Sequence, residues 1–69
     1  MEQQTMMKTF VKSHEVTLLK NKVINEEHPK PFEVTDVKGT NLQILFFDDL
    51  PTAKKYFEEL NGDYYKGII

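Results

Sequence analysis

The residues able to do chemistry in this chain fall in three places. Asp48 and Asp49 are adjacent at the end of an apolar run, where neighbouring carboxylates can hold Mg²⁺ beside a phosphate. Nothing else in the sequence supplies a phosphate cradle or further ligands at a recognisable spacing. The pair therefore reads as a helix start, one carboxylate capping it and both favouring its positive end. His14 and His28 are the only histidines, one beside Glu15 and the other beside Glu26-Glu27. Neither lies in a metal-binding spacing. A hairpin turning at Asn21 would bring both to one open end as a two-histidine site; the plainer reading is of two exposed loop histidines. Ser13 has no nucleophile-elbow context, and His14 beside it is badly placed to act as its base. The expectation is a protein with no catalytic residues, no metal site and no cofactor.

Charge narrows the partners. Nine lysines stand against eleven acidic residues for a net charge of −2, and arginine is absent. Arginine supplies the planar fork that reads guanine edges and clamps phosphates, which lysine does not. Sequence-specific DNA binding is therefore not expected. Lys8, Lys12, Lys20 and Lys22 face only Glu15 over residues 8–22, making them weak phosphate-contact candidates or, more plainly, guards of an exposed strand edge. The lysine-rich, arginine-free composition is that of an AT-rich coding sequence, as in low-GC bacteria and their phages.

The elements that must position these residues belong to a single small domain, since 69 residues allow no more. A domain of this size buries only roughly 60% of the surface its unfolded chain exposes, and with no cysteine it has neither disulfides nor thiolate zinc sites to add stability. The longest apolar run, Ile44 to Phe47, is far shorter than the roughly 20 residues of a membrane span. The polar start lacks the apolar segment of a secretory signal, and cytoplasmic residence is the expectation.

Residues 1–6 read as a disordered tail, followed by the domain at 7–69. Thr9-Phe10-Val11, Val16 to Leu19 and Val23-Ile24 are rich in β-branched residues. They read as strands with a hairpin tip at Asn21-Lys22; a helix over about 14–25, capped by Ser13, is the alternative. His28-Pro29-Lys30-Pro31 is a stiff connection. Phe32 to Val37 alternates as a half-buried strand, with Phe32, Val34 and Asp36 on one side. Lys38 to Asn41 makes a turn at Gly39. Leu42 to Phe47, apolar on both sides, reads as a central covered strand. Asp49 then caps a helix over about 51–61, with Pro51 in its first turn and a stripe of Ala53, Tyr56, Phe57 and Leu60. Gly62 reads as its terminator, and Tyr64-Tyr65 lead into a short strand at Ile68-Ile69. The fold class is α+β: an antiparallel sheet of four to five strands with one amphipathic helix, in the order β-β-β-β-α-β.

Phe47, Asp48-Asp49, Ala53, Phe57, Glu59-Leu60-Asn61-Gly62 and Tyr65-Lys66-Gly67 together resemble the second half of an RNA recognition motif. The resemblance covers about 40% of the chain and implies a ferredoxin-like βαββαβ alternative, for which the first half needs the helix at 14–25. The family's base-stacking positions fall on Leu42 and Ile44, which carry no ring, so the resemblance implies a fold and no RNA site.

Eight aromatics are many for this length, and one helix on one sheet face cannot cover them all. Phe46, Tyr56, Tyr64 and Tyr65 are the candidates for an exposed interface patch. The function expected is a non-enzymatic protein-interaction module, an accessory or inhibitor protein or a homodimerising domain. Its partner is another protein or a second copy, with no membrane contact. A single-stranded nucleic-acid binder using lysines and aromatics on a sheet face is the second reading.

Overall fold

The computed structural model of the chain describes residues 3–67. Strands β1 (Gln3–Val11), β2 (His14–Asn21), β3 (Phe32–Lys38) and β4 (Asn41–Phe47) precede one helix, α1 (Leu50–Lys66). The strands pair antiparallel in chain order, β1-β2-β3-β4. The expected α+β class, antiparallel sheet and packed helix are therefore present. The βαββαβ alternative is not: residues 14–21 are a strand, and no helix lies between β1 and β2.

The first hairpin turns at Lys12-Ser13 rather than at Asn21-Lys22. Both turn residues have positive φ, 51° and 71°, as a two-residue turn needs to match the twist of its strands. Gln3 to Met6, expected in the tail, run in β1, and the register slips between Thr5 and Met7 as a bulge. Val23-Ile24 lie in the long β2–β3 connection instead of a strand. The expected final strand at Ile68-Ile69 lies outside the described residues.

Side chains on one sheet face meet the helix. Val16 and Leu18 of β2 and Val34 of β3 form the core with Ala53, Phe57, Leu60 and Tyr64 of α1. Each large apolar side chain buried there contributes roughly 1.5–3 kcal/mol. The helix starts as its sequence suggests, with Asp49 accepting from the Thr52 N–H and a proline in the first turn. It does not stop at Gly62. Tyr64 and Tyr65 are helical, and Gly67 ends the helix at φ 77°, its N–H bonded to the carbonyls of Asp63 and Tyr64. A mid-helix glycine costs about 1 kcal/mol relative to alanine, and burial of Tyr64 two residues later offsets it.

β4 is an edge strand and not the covered central one. A helix about 10 Å across spans roughly two strands at about 4.8 Å spacing, and here those are β2 and β3. Leu45, on the helix side of β4, is consequently 46% exposed, while Leu42 and Ile44, on the face that no helix covers, are 59% and 38% exposed.

Candidate functional site

Two polar clusters and one bare edge stand out from this frame. The first cluster joins the helix to the sheet. Asp36 faces α1, because it shares the side of β3 that carries Val34. Its carboxylate accepts from His14 Nδ1 at 2.8 Å through one oxygen and from the Tyr64 hydroxyl through the other. A carboxylate only accepts, so His14 donates from Nδ1 and keeps Nε2 free. The rings of His14 and Tyr64 stack with centroids 3.8 Å apart. Burial, followed by the hydrogen bond to Asp36 and that residue's charge, holds the Tyr64 phenol well above the usual tyrosine range. Burial and the charge of Asp36 also raise Tyr56. A pocket of about 320 Å³ opens here, lined by His14, Asp36, Lys38, Asn41, Gln43 and Tyr64 among others. An aspartate-held imidazole is the arrangement of a general base. The one hydroxyl of the lining, that of Tyr64, is however itself committed to Asp36, and the ring face of His14 is covered by Tyr64.

The second cluster lies at the other end of β2 and on the opposite sheet face, where Glu33 is 1% exposed. Its Oε1 accepts from Asn21 Nδ2 at 2.7 Å, His28 Nδ1 at 2.8 Å and Gln3 Nε2 at 3.3 Å. Asn21 also bonds the carbonyls of Lys30 and Pro31, through its side chain and backbone N–H respectively. The Asn25 side chain accepts from the N–H groups of Glu27 and His28, closing the turn that presents His28. Glu33 thereby fastens residues 22–31 across this end of the sheet. The two histidines are far apart on opposite faces, so the imagined two-histidine site does not form. Both are half-buried partners of a carboxylate instead of exposed loop residues.

The remaining candidates disperse. Asp49 caps α1, accepting from both the N–H and the hydroxyl of Thr52. Asp48 is exposed and lies 3.5 Å from Lys30. Among the described residues no three of His, Asp and Glu converge as metal ligands. Lys8 on the helix-free face pairs with Glu15 at 3.2 Å. Lys20 lies two residues from Leu18 on the helix side, and Lys12 and Lys22 sit in the connections. Of the aromatics expected in a patch, Tyr64 is buried at 3% exposure and Tyr65 is 76% exposed on the helix. Tyr56 packs on Phe47 with ring centroids 5.4 Å apart. Phe46 is half-buried on the helix-free face.

The edges of the sheet differ. β1 carries Lys8 and the bulge, two devices that discourage strand addition. β4, Asn-Leu-Gln-Ile-Leu-Phe-Phe, has seven residues and no charge. Every second residue directs its N–H and C=O away from β3. On the helix-free face Leu42 and Ile44 line this edge, while Phe10, at 75% exposure, stands on the same face at the far edge, on β1. Sequence reading found the apolar character of β4 and missed its position. It also missed the roles of Asp36, Glu33, Asn21 and Gln3: Asp36 alone carries a signal, as a polar residue on the side of β3 where alternation predicts an apolar one, and the other three stand where a polar residue is unremarkable. Among the described residues no helix is long and apolar enough to cross a membrane. Compared with protein-family models, with curated proteins and with solved structures, the chain matches none of them.

Proposed function

We propose that the chain is a non-enzymatic protein-interaction module that self-associates through the β4 edge. The observation that carries this reading is the contrast between its two edge strands: β1 is bulged and carries a lysine, whereas β4 is uncharged and exposes Leu42, Ile44 and Leu45. A strand of this kind is a template for another strand. The polar clusters support the same reading, because His14, Asp36 and Glu33 are each tied to partners within the fold. Nucleic-acid binding has less behind it, since Lys8 beside Phe10 is paired with Glu15 and Lys20 lies on the helix side.

Light scattering across a concentration series tests the proposal. The mass should rise towards twice that of one chain as concentration increases. A single-chain mass at every concentration contradicts it.

A further inference from the structure

The occupant of β4 can be specified further. Resting on the self-association reading, we infer that two copies pair antiparallel through β4 about a two-fold axis at Ile44, joining their four-stranded sheets into one. Three observations on β4 select this pairing.

The first is self-complementarity, which a two-fold contact requires because the same patch serves both copies. β4 runs from Asn41 to Phe47, so Ile44 is its centre. With Ile44 opposite the partner's Ile44, Leu42 meets the partner's Phe46 on the helix-free face. On the other face Gln43 meets the partner's Leu45, at the β4 side of the pocket that holds Asp36. The exposed side chains of Leu42 and Ile44 thereby gain apolar cross-strand neighbours, and Leu45 gains the aliphatic stem of Gln43.

The second is charge. Lys38 is exposed just before the Gly39-Thr40 turn at one end of β4, and the exposed Asp48 and Asp49 follow the other end. Antiparallel pairing sets the turn of each copy, with Lys38 beside it, against the partner's Asp48-Asp49. Parallel pairing would set like charges together at both ends, which is unfavourable.

The third is register. A slip of two residues one way sets Leu42 against the partner's Asp48. The same slip the other way sets Phe46 and Phe47 against the partner's Thr40 and Gly39, beyond the strand. Only the register centred on Ile44 pairs β4 along its whole length without placing a charge against an apolar side chain.

The chain has no cysteine, so a single introduced thiol can form a protein disulfide only with a second copy. Directly opposite residues have Cβ atoms about 4.5–5.5 Å apart, close to disulfide range. In this pairing Leu42 lies four residues, about 13 Å, from the partner's Leu42. The test is oxidation of Ile44→Cys, of Leu42→Cys and of the double variant Leu42→Cys/Phe46→Cys with oxidised glutathione. Two protein thiols are oxidised to one disulfide as one glutathione disulfide is reduced to two thiols. Rapid, near-complete cross-linking of Ile44→Cys and of the double variant, with Leu42→Cys at least tenfold slower, is the expected result. Equal rates for the two single variants overturn the antiparallel register. So does the absence of cross-linking at Ile44→Cys in a protein whose wild-type mass is that of two chains, although the β4 reading then survives. A single-chain wild-type mass removes both.

Discussion

Tyr64, near the end of α1, donates its hydroxyl proton to Asp36 on β3, a residue 28 positions earlier in the chain. This bond carries the helix past Gly62 and holds its last turns on the sheet. Tyr64→Phe keeps the ring stacked on His14 and removes only the donor. The expected loss is about 1–3 kcal/mol, the cost of leaving a buried acceptor short of a partner. Denaturant unfolding measures it, and faster amide exchange confined to residues after Gly62 should accompany it. Unchanged stability would show that the bond does not hold the helix end.

Alkaline pH should act at the same place. The folded-state pKa of Tyr64 is raised, by burial first and then by Asp36. The unfolded chain therefore releases this proton at lower pH than the native state, and stability falls as pH rises above about 10. Below that value the contribution is fully present. Ultraviolet titration should show late phenol titration that Tyr64→Phe reduces, leaving the smaller part due to Tyr56, and the variant's stability should depend less on pH in the alkaline range.

Glu33 makes a separate prediction. Its carboxylate collects donors from Asn21, His28 and Gln3 in a buried position. Glu33→Ala leaves those donors unpaired, at an expected cost of about 1–3 kcal/mol. His28→Ala should be milder globally and should instead release residues 22–31. Amide exchange at Asn25, whose N–H bonds the His28 carbonyl, should accelerate at least tenfold while the β3–β4 amides stay protected. Equal acceleration throughout the sheet would contradict the strap.

The first hairpin stores removable strain. Lys12 and Ser13 both hold positive φ, which costs a non-glycine residue roughly 1 kcal/mol or more. Replacing them with Asn-Gly, the pair that favours this turn, should stabilise the fold by about 1 kcal/mol in denaturant unfolding. A loss of stability would show that the side chains of Lys12 or Ser13 contribute more than the strain they impose.

That hairpin also explains what the sequence left unread. β3, β4 and the start of α1 were legible because alternation, Gly39 and the Asp49–Pro51 pair each announce themselves locally. Lys12-Ser13 has none of the Asn, Asp or Gly that favours the positive φ of a two-residue hairpin turn, which points the reading to Asn21, whose side chain is in fact directed at Glu33. Gly62 looked like a terminator because its neighbours do not reveal that Tyr64 has a partner on β3. The apolar run of β4 suggested a covered central strand, since pattern alone cannot distinguish a strand covered by its own fold from one left for another chain. The polar clusters were hidden for a related reason: Asp36 and Glu33 become partners of His14 and His28 only once the register of three strands is set.

The self-association through β4 is tested most directly by light scattering on the wild type, Ile44→Lys and Phe10→Lys at matched concentrations. Both substitutions place a charge at an exposed position on the helix-free face, one on the β4 edge and the other on β1. The account predicts a two-chain mass for the wild type and Phe10→Lys and a single-chain mass for folded Ile44→Lys. A two-chain mass that survives Ile44→Lys, or a wild type that stays at one chain throughout, would contradict it.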